Sequence, residues 1–374
     1  MATMAQPERR IRLDFRRQED RSAGAPASVL RGDLSACAIT GDCLWLGCDE
    51  TATVERLIRQ APSTYADHRS FQLADIFSLP AGAGEEIDIE GLAADDGYLW
   101  IVGSHSSKRK KPRRHENDAR EALERLSTIS IDPNRYFLAR VPLVAGAAEG
   151  LFGLAGFDGS EASAGRSAAC LPMSGGGNVL TDALGRDPLL GTFLRIPCKE
   201  NGLDIEGIAV RGGRVFLGLR GPVLGGWATI IELAIRDDGP GRLGLDAIGG
   251  AGETYARRFF DLDGLGIRDL AFADGALLIL AGPTMDLDGP VRLYRWPMPL
   301  EAGDGAVITH DRLEVVFDMP YGDGVDHAEG IALLDEGPDA GRREILVVHD
   351  SPAPDRLHGD GTAIDADVFS LGPA

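Results

Sequence analysis

Along this chain short apolar stretches recur in pairs, each pair split by a tight polar turn and followed by a polar loop. The first members of the pairs are residues 35–39, 90–94, 206–210, 268–272 and 329–333, beginning at Ser35, Glu90, Glu206, Arg268 and Glu329. Gly41-Asp42, Asp96-Gly97, Gly212-Gly213 and Asp274-Gly275 follow the first four, and such dipeptides supply the positive φ that two-residue hairpins need. The fifth turn is a longer loop from Asp335 to Arg343. The second members, residues 44–47, 99–102, 215–218, 277–280 and 345–348, are continuously apolar, as in strands covered on both faces.

Third strands are expected at residues 52–58, 136–143, 229–235, 291–296 and 367–371, and fourth strands at 71–77, 192–196, 255–261 and 313–318. The last unit lacks a fourth strand, and the alternating Ile11-Arg12-Leu13-Asp14-Phe15 supplies one from the N-terminus. Repeated four-stranded units closed in this way leave no unpaired edge between the chain ends. The pattern therefore predicts an all-β chain, residues 1–374 forming a single β-propeller of about five four-stranded blades. Residues 145–190, rich in Gly, Ala and Ser, read as a long insertion in the second blade, with a degenerate sixth blade as the alternative. Residues 106–130 read as a basic loop followed by a short surface helix, with Glu116–Arg120 and Glu121–Arg125 spaced as i,i+4 pairs.

Charge narrows the range of partners. The net charge is −20, which disfavours nucleic acid and anionic membranes. No apolar run is long enough to span a bilayer, and the polar N-terminal stretch lacks a signal-peptide core, so a cytoplasmic monomer is expected. The five cysteines include no CxxC pair and read as reduced packing residues. Against the acidic background, Lys108 to Arg114 places six cations in seven positions, suited to an anionic ligand or an acidic protein partner. A solvated loop is the plainer reading of such a run.

In a propeller the start of each inner strand and the loop after its second strand meet at one channel mouth. Those positions hold Glu90, Glu206, Arg268, Asp269 and Glu329, and then Asp49, Glu50, Ser104, His105, Arg220, Thr284, Asp286, His349 and Asp350. Converging glutamates repel one another, and Glu90, Glu206 and Glu329 would stay ionised around a divalent cation, Ca²⁺ or Mg²⁺. Arg220 and Arg268 offer internal compensation instead, and a purely structural Glu-Gly strand entry is the third possibility. His105, His349 and Asp350 are the candidate proton carriers; Arg220, Arg268, Lys110 and Arg113 are the candidate anion binders. The glycine-rich run Arg220 to Trp227 is a candidate phosphate cradle.

Three stretches carry a family resemblance: Asp88-Ile89-Glu90-Gly91-Leu92-Ala93 with Gly103-Ser104-His105-Ser106; Asp204-Ile205-Glu206-Gly207-Ile208-Ala209 with Leu219-Arg220-Gly221-Pro222; and His327-Ala328-Glu329-Gly330-Ile331-Ala332 with His349-Asp350-Ser351. From about Leu34 to Leu371 the chain resembles a bacterial domain-of-unknown-function family related to phytase-like and esterase-like propellers. The resemblance implies the propeller fold and a polar channel mouth. Two functions follow as expectations: a metal-assisted hydrolase of a small anionic ester (a phosphate ester or a lactone), or a non-catalytic propeller that binds a ligand or a protein.

Overall fold

The computed structural model describes residues 4–16, 25–113, 118–157, 159–162, 165–248, 252–285, 287–297, 299–301, 306–334 and 343–372. Strand β1 (Arg9–Asp14) opens the chain. Five antiparallel units follow. The first comprises β2 (Leu34–Thr40), β3 (Cys43–Cys48), β4 (Thr53–Ala61) and β5 (Thr64–Gln72). The second has β6 (Ile89–Asp95), β7 (Tyr98–Gly103), β8 (Leu138–Ala145) and β9 (Phe152–Leu154). In the third are β10 (Asp204–Arg211), β11 (Arg214–Leu224), β12 (Trp227–Asp237) and β13 (Ala256–Asp261). The fourth holds β14 (Gly266–Ala273), β15 (Ala276–Gly282), β16 (Val291–Trp296) and β17 (Glu314–Met319). In the fifth, β18 (His327–Leu334), β19 (Glu344–Asp350) and β20 (Ala363–Ser370) are joined by β1, which pairs antiparallel with β20 from Arg9↔Val368 to Asp14↔Ala363.

The arrangement is propeller-like. The first strands of the units touch in cyclic order, β2 on β6, β6 on β10, β10 on β14, β14 on β18 and β18 on β2. An apolar core fills each space between neighbouring units; Trp45, Phe71 and Phe137 pack between the first and second, and Phe260, Tyr294 and Trp296 between the third and fourth. The core between the fifth and first units includes Ile11 and Leu13 of β1, and β1 also makes a short parallel contact with β5 at Arg12↔Thr64 and Leu13↔Tyr65. Each fully buried Leu, Ile or Phe contributes about 1.5–3 kcal/mol.

Two glycine positions explain why the Glu-Gly pair recurs. A Cβ on Gly207 would stand 2.8 Å from the Asp269 Cα, and one on Gly91 would stand 3.0 Å from the Ile208 backbone nitrogen. The inner strands approach too closely there for any side chain.

The structure differs from expectation in three places. Residues 192–195 belong to a 3-10 helix, Gly191–Arg195, that Ile196 ends, and the fourth strand of the second unit is β9, within the stretch read as an insertion. The small residues of 145–190 had masked the short β9. The run Arg220 to Trp227 is not an open cradle: β11 continues through it and turns at Gly225-Gly226, pairing Leu224 with Trp227. The surface helix covers Ala119–Ser127, capped by Asp118; Arg114 and Glu116 lie outside the described residues, as does Asp286.

Candidate functional site: the channel mouth

Every inner strand carries a β-bulge at the same place. Pairing runs Leu34↔Cys48 then Ala36↔Gly47, Ile89↔Gly103 then Gly91↔Val102, Ile205↔Leu219 then Gly207↔Gly218. It runs likewise Ile267↔Ala281 then Asp269↔Leu280, and Ala328↔His349 then Gly330↔Val348. The extra, unpaired residues are Ser35, Glu90, Glu206, Arg268 and Glu329. A bulge breaks strict alternation and re-aims the side chain it carries. Here Glu90, Glu206 and Glu329 line a single cavity of about 210 Å³, together with Asp49, Asp88, Asp204, Arg220 and Asp350 among others.

Arginines bind the glutamates to one another. The Arg220 Nε lies 2.9 Å from Asp204 Oδ2 and 2.7 Å from Glu206 Oε1. Arg268 donates to Glu329 Oε1 at 2.6 Å and to the Pro283 carbonyl at 3.2 Å, with Glu206 Oε2 3.4 Å away. On the opposite side Arg135, which the sequence reading missed, grips Asp88 at 2.7 Å and Glu86 at 2.7 Å. Its place at the end of a 3-10 helix, outside the repeat, left no periodic signal. Glu90 has no hydrogen-bond or ion-pair partner among the described residues.

These environments separate the carboxyls. Burial raises Glu206 to about 7, opposed by Arg220 and Arg268. Burial, then Asp88 and the other two glutamates, pushes Glu90 well above the usual range. Glu329 is raised as well, by burial and against the pull of Arg268. Asp49 is pushed up to about 8 by burial and by Asp88 and Asp350. Asp269 plays a different part: its carboxyl accepts from the backbone nitrogens of Leu270 and Ile331, both at 2.7 Å, tying β14 to β18. This is the structural strand-entry role, carried by an aspartate beside the bulge rather than by the glutamates.

The two expected histidine proton carriers lie elsewhere. His105 is buried, its Nδ1 2.8 Å from the Gly103 carbonyl and its Nε2 2.9 Å from Asn178 Nδ2. Both ring nitrogens are used, and burial depresses the group to about 4. It fastens the second unit to the helix Val179–Leu184, which Asn178 caps. His349 is held near Asp367 and Arg356, likewise lowered to about 4 by burial and by Arg356. Neither lines the cavity, whereas Asp350 does. Lys110 and Arg113 stand exposed and outside the lining, and the expected anion binders Arg220 and Arg268 are committed to carboxylates.

The glutamates also fail to assemble as metal ligands. Among the described residues no group of three or more His, Cys, Asp or Glu converges as a cation site. Guanidinium groups of Arg220 and Arg268 supply to Glu206 and Glu329 the positive charge that a cation was expected to bring, so these two do not fit a metal ion shared with Glu90 in this arrangement. All five cysteines are free thiols; Cys198 lines the mouth and is raised by burial to about 11, so it is no thiolate nucleophile.

A family model described as "Protein of unknown function (DUF3616)" matches residues 33–367. The chain belongs to that family. No curated protein matches this DUF3616 chain in sequence. Among solved structures it is similar to glutaminyl cyclase of Myxococcus xanthus, at 11% identity and TM-score 0.38, covering 98% of this chain and 99% of that one. It is similar also to the PQQ-bound aldose sugar dehydrogenase of Streptomyces coelicolor, at 15% identity and TM-score 0.34, covering 98% and 100%. A third is an exo-1,5-alpha-L-arabinanase from a bovine ruminal metagenomic library, at 8% identity and TM-score 0.37, covering 91% and 94%. At such values none of them bears on chemistry. No helix among the described residues is long and apolar enough to cross a membrane.

Proposed function

We propose that the chain is a five-bladed propeller closed by β1, and that its mouth is an acid–base hydrolytic site for a small neutral or cationic ester, a lactone being the simplest case. The observation that carries this is one cavity lined by carboxyls in unlike surroundings, Glu206 between Arg220 and Arg268 and Glu90 with no cationic partner among the described residues. Burial raises Glu206 to about 7 against the pull of its arginines, and pushes Glu90 well above the ordinary carboxylate range. Such a split assigns base and acid. Glu206 takes a proton from the attacking water, and Glu90 gives its proton to the departing alkoxide oxygen. Water oxygen bonds to the carbonyl carbon, the ring C–O bond breaks, and the acid and alcohol of the opened product account for all atoms.

Substrate charge departs from the anionic ester expected from sequence. The cavity lining holds Asp49, Glu50 and Glu90 without a cationic partner among the described residues, and its arginines are engaged. A phosphate ester would meet net repulsion there, so of the two kinships implied by the motifs the esterase-like one agrees better with the mouth. A non-catalytic binding propeller is the second reading, favoured by the burial of both histidines away from the cavity.

The test is turnover of a panel of neutral lactones and aryl esters by the wild type, Glu206→Gln and Glu90→Gln. Expected is hydrolysis that rises through a pH near 7, falls about 10²–10⁴-fold in Glu206→Gln, and is unchanged by a chelator. Binding without turnover across the panel would leave the binding module standing. Loss of turnover on chelation would return the glutamates to a metal.

A further inference from the structure

A cationic arm leaves the second unit beside the mouth. Lys108–Arg109 pairs with Ile129–Ser130, and the helix Ala119–Ser127 packs against that pair. Lys108 bonds Glu86 and Arg109 bonds Glu200, which fixes the base of the arm between the second and third units. The described residues from 108 to 131 hold seven lysines and arginines against three acids, a net of +4 on a chain of net −20. Lys110 and Arg120 have no side-chain partner among the described residues.

The arm also exposes aliphatic surface. Leu123, Leu126, Ile129 and Ile131 are 66%, 40%, 43% and 50% exposed within nine residues. Leu123 and Leu126, three apart, share a helix face, and Ile129 and Ile131 follow on the short strand and just after it. Concentrated exposure of this kind marks an interaction surface more than a scatter of surface leucines does.

The same mouth face carries the complement. Asp33 and Glu50 in the first unit and Asp350 in the fifth crowd together, and neither Asp33 nor Glu50 has a cationic partner among the described residues. Their mutual repulsion, added to burial, lifts Asp33 to about 6. Across the join of the fourth and fifth units, Leu287 and Tyr321 are 57% and 45% exposed. One face thus holds a basic, aliphatic arm and an acidic, apolar rim that the arm leaves unpaired.

We propose that two copies of this chain pair through their mouth faces, the arm of each lying on the rim of the other. A two-fold axis in the plane of the face brings arm to rim twice, the self-complementary arrangement of an isologous dimer. At physiological ionic strength the long-range repulsion between two acidic molecules is screened beyond about 8 Å, whereas contacts at ion-pair distance persist. This inference needs no catalysis, although its rim shares Glu50 and Asp350 with the lining of the cavity.

The test is molar mass by light scattering and sedimentation equilibrium of the full chain at 0.15 M salt, on the order of 10–100 μM protein. The wild type is expected as a dimer. Lys110→Glu with Arg120→Glu, and separately Asp33→Lys with Glu50→Lys, should each be a monomer with a wild-type melting curve. Mixed in equal amounts, the two variants should pair, because each reversed surface then meets the partner surface that complements it. A monomeric wild type, a dimer that survives both double substitutions, or a mixture that stays monomeric would each overturn the proposal. A variant that melts early is replaced by Lys110→Gln or Glu50→Gln, for which the expected result is a weakened dimer and an undiminished dimer overturns the proposal.

Discussion

Glu206 shows how one side chain acquires its properties from its neighbours. It leaves the strand at a bulge, is 3% exposed, and lies between two guanidinium groups. Arg220 is the larger partner, because it also neutralises Asp204. Replacing Arg220 with Gln leaves buried Asp204 without its counter-charge and Glu206 with Arg268 alone, at a cost of about 3–5 kcal/mol. In a chain this long that corresponds to a fall in melting temperature of roughly 4–6 °C at pH 7. The deficit should shrink below pH 5, where Glu206, raised to about 7 in the intact site, carries a proton and needs no counter-charge. Equal destabilisation at both pH values would show that Arg220 acts by packing.

At the scale of elements, the bulged inner strand is the unit that builds the mouth. Its geometry depends on glycine where neighbouring inner strands nearly touch. In Gly207→Ala the new Cβ meets the Asp269 backbone at 2.8 Å, and that backbone belongs to a strand whose own carboxyl ties β14 to β18. Overpacking of this kind costs about 1–3 kcal/mol. Chemical unfolding should report that loss, while Gly153→Ala, whose Cβ would meet nothing within 4 Å, should stay within about 0.5 kcal/mol of wild type. An unchanged Gly207→Ala would mean the ring of inner strands is looser than described. The apolar runs and Gly/Asp turns made these strands legible in the sequence. The bulges were not legible, since Glu-Gly at a strand start reads the same whether or not the glutamate is paired across the ladder.

For the whole molecule, two sets of buried groups pull stability in opposite directions with pH. His105 and His349, lowered to about 4, favour the folded state when neutral, so their contribution is lost as pH falls from 6.5 toward 4. Asp33, Glu206 and Asp49, raised to about 6, 7 and 8, bind more protons folded than unfolded between their ordinary values and these. Stability from that set is present at low pH and is lost as pH rises to about 8. Above 6.5 the histidines no longer contribute a slope, so the denaturant midpoint should fall between pH 6.5 and pH 8. Asp49→Asn should reduce that fall. A midpoint that climbs over this interval would contradict the burial assigned to the mouth.

Periodicity alone determined the all-β class, the recurring strand pairs and the use of Ile11 to Phe15 as a pairing strand, because alternation and turn chemistry are local properties of the chain. It also brought Glu90, Glu206, Glu329, Arg220 and Asp350 to one end of the repeat, since equivalent positions in repeated units share an address. Tertiary structure decided what those residues do there. Only the fold shows which carboxylates Arg220 and Arg268 engage, and that Arg135 reaches Asp88 from outside the repeat. Only the fold turns His105 onto Asn178, seventy-three positions away, and buries it. Charge compensation and burial depend on which distant segments meet, and one strand's pattern carries no record of its neighbours.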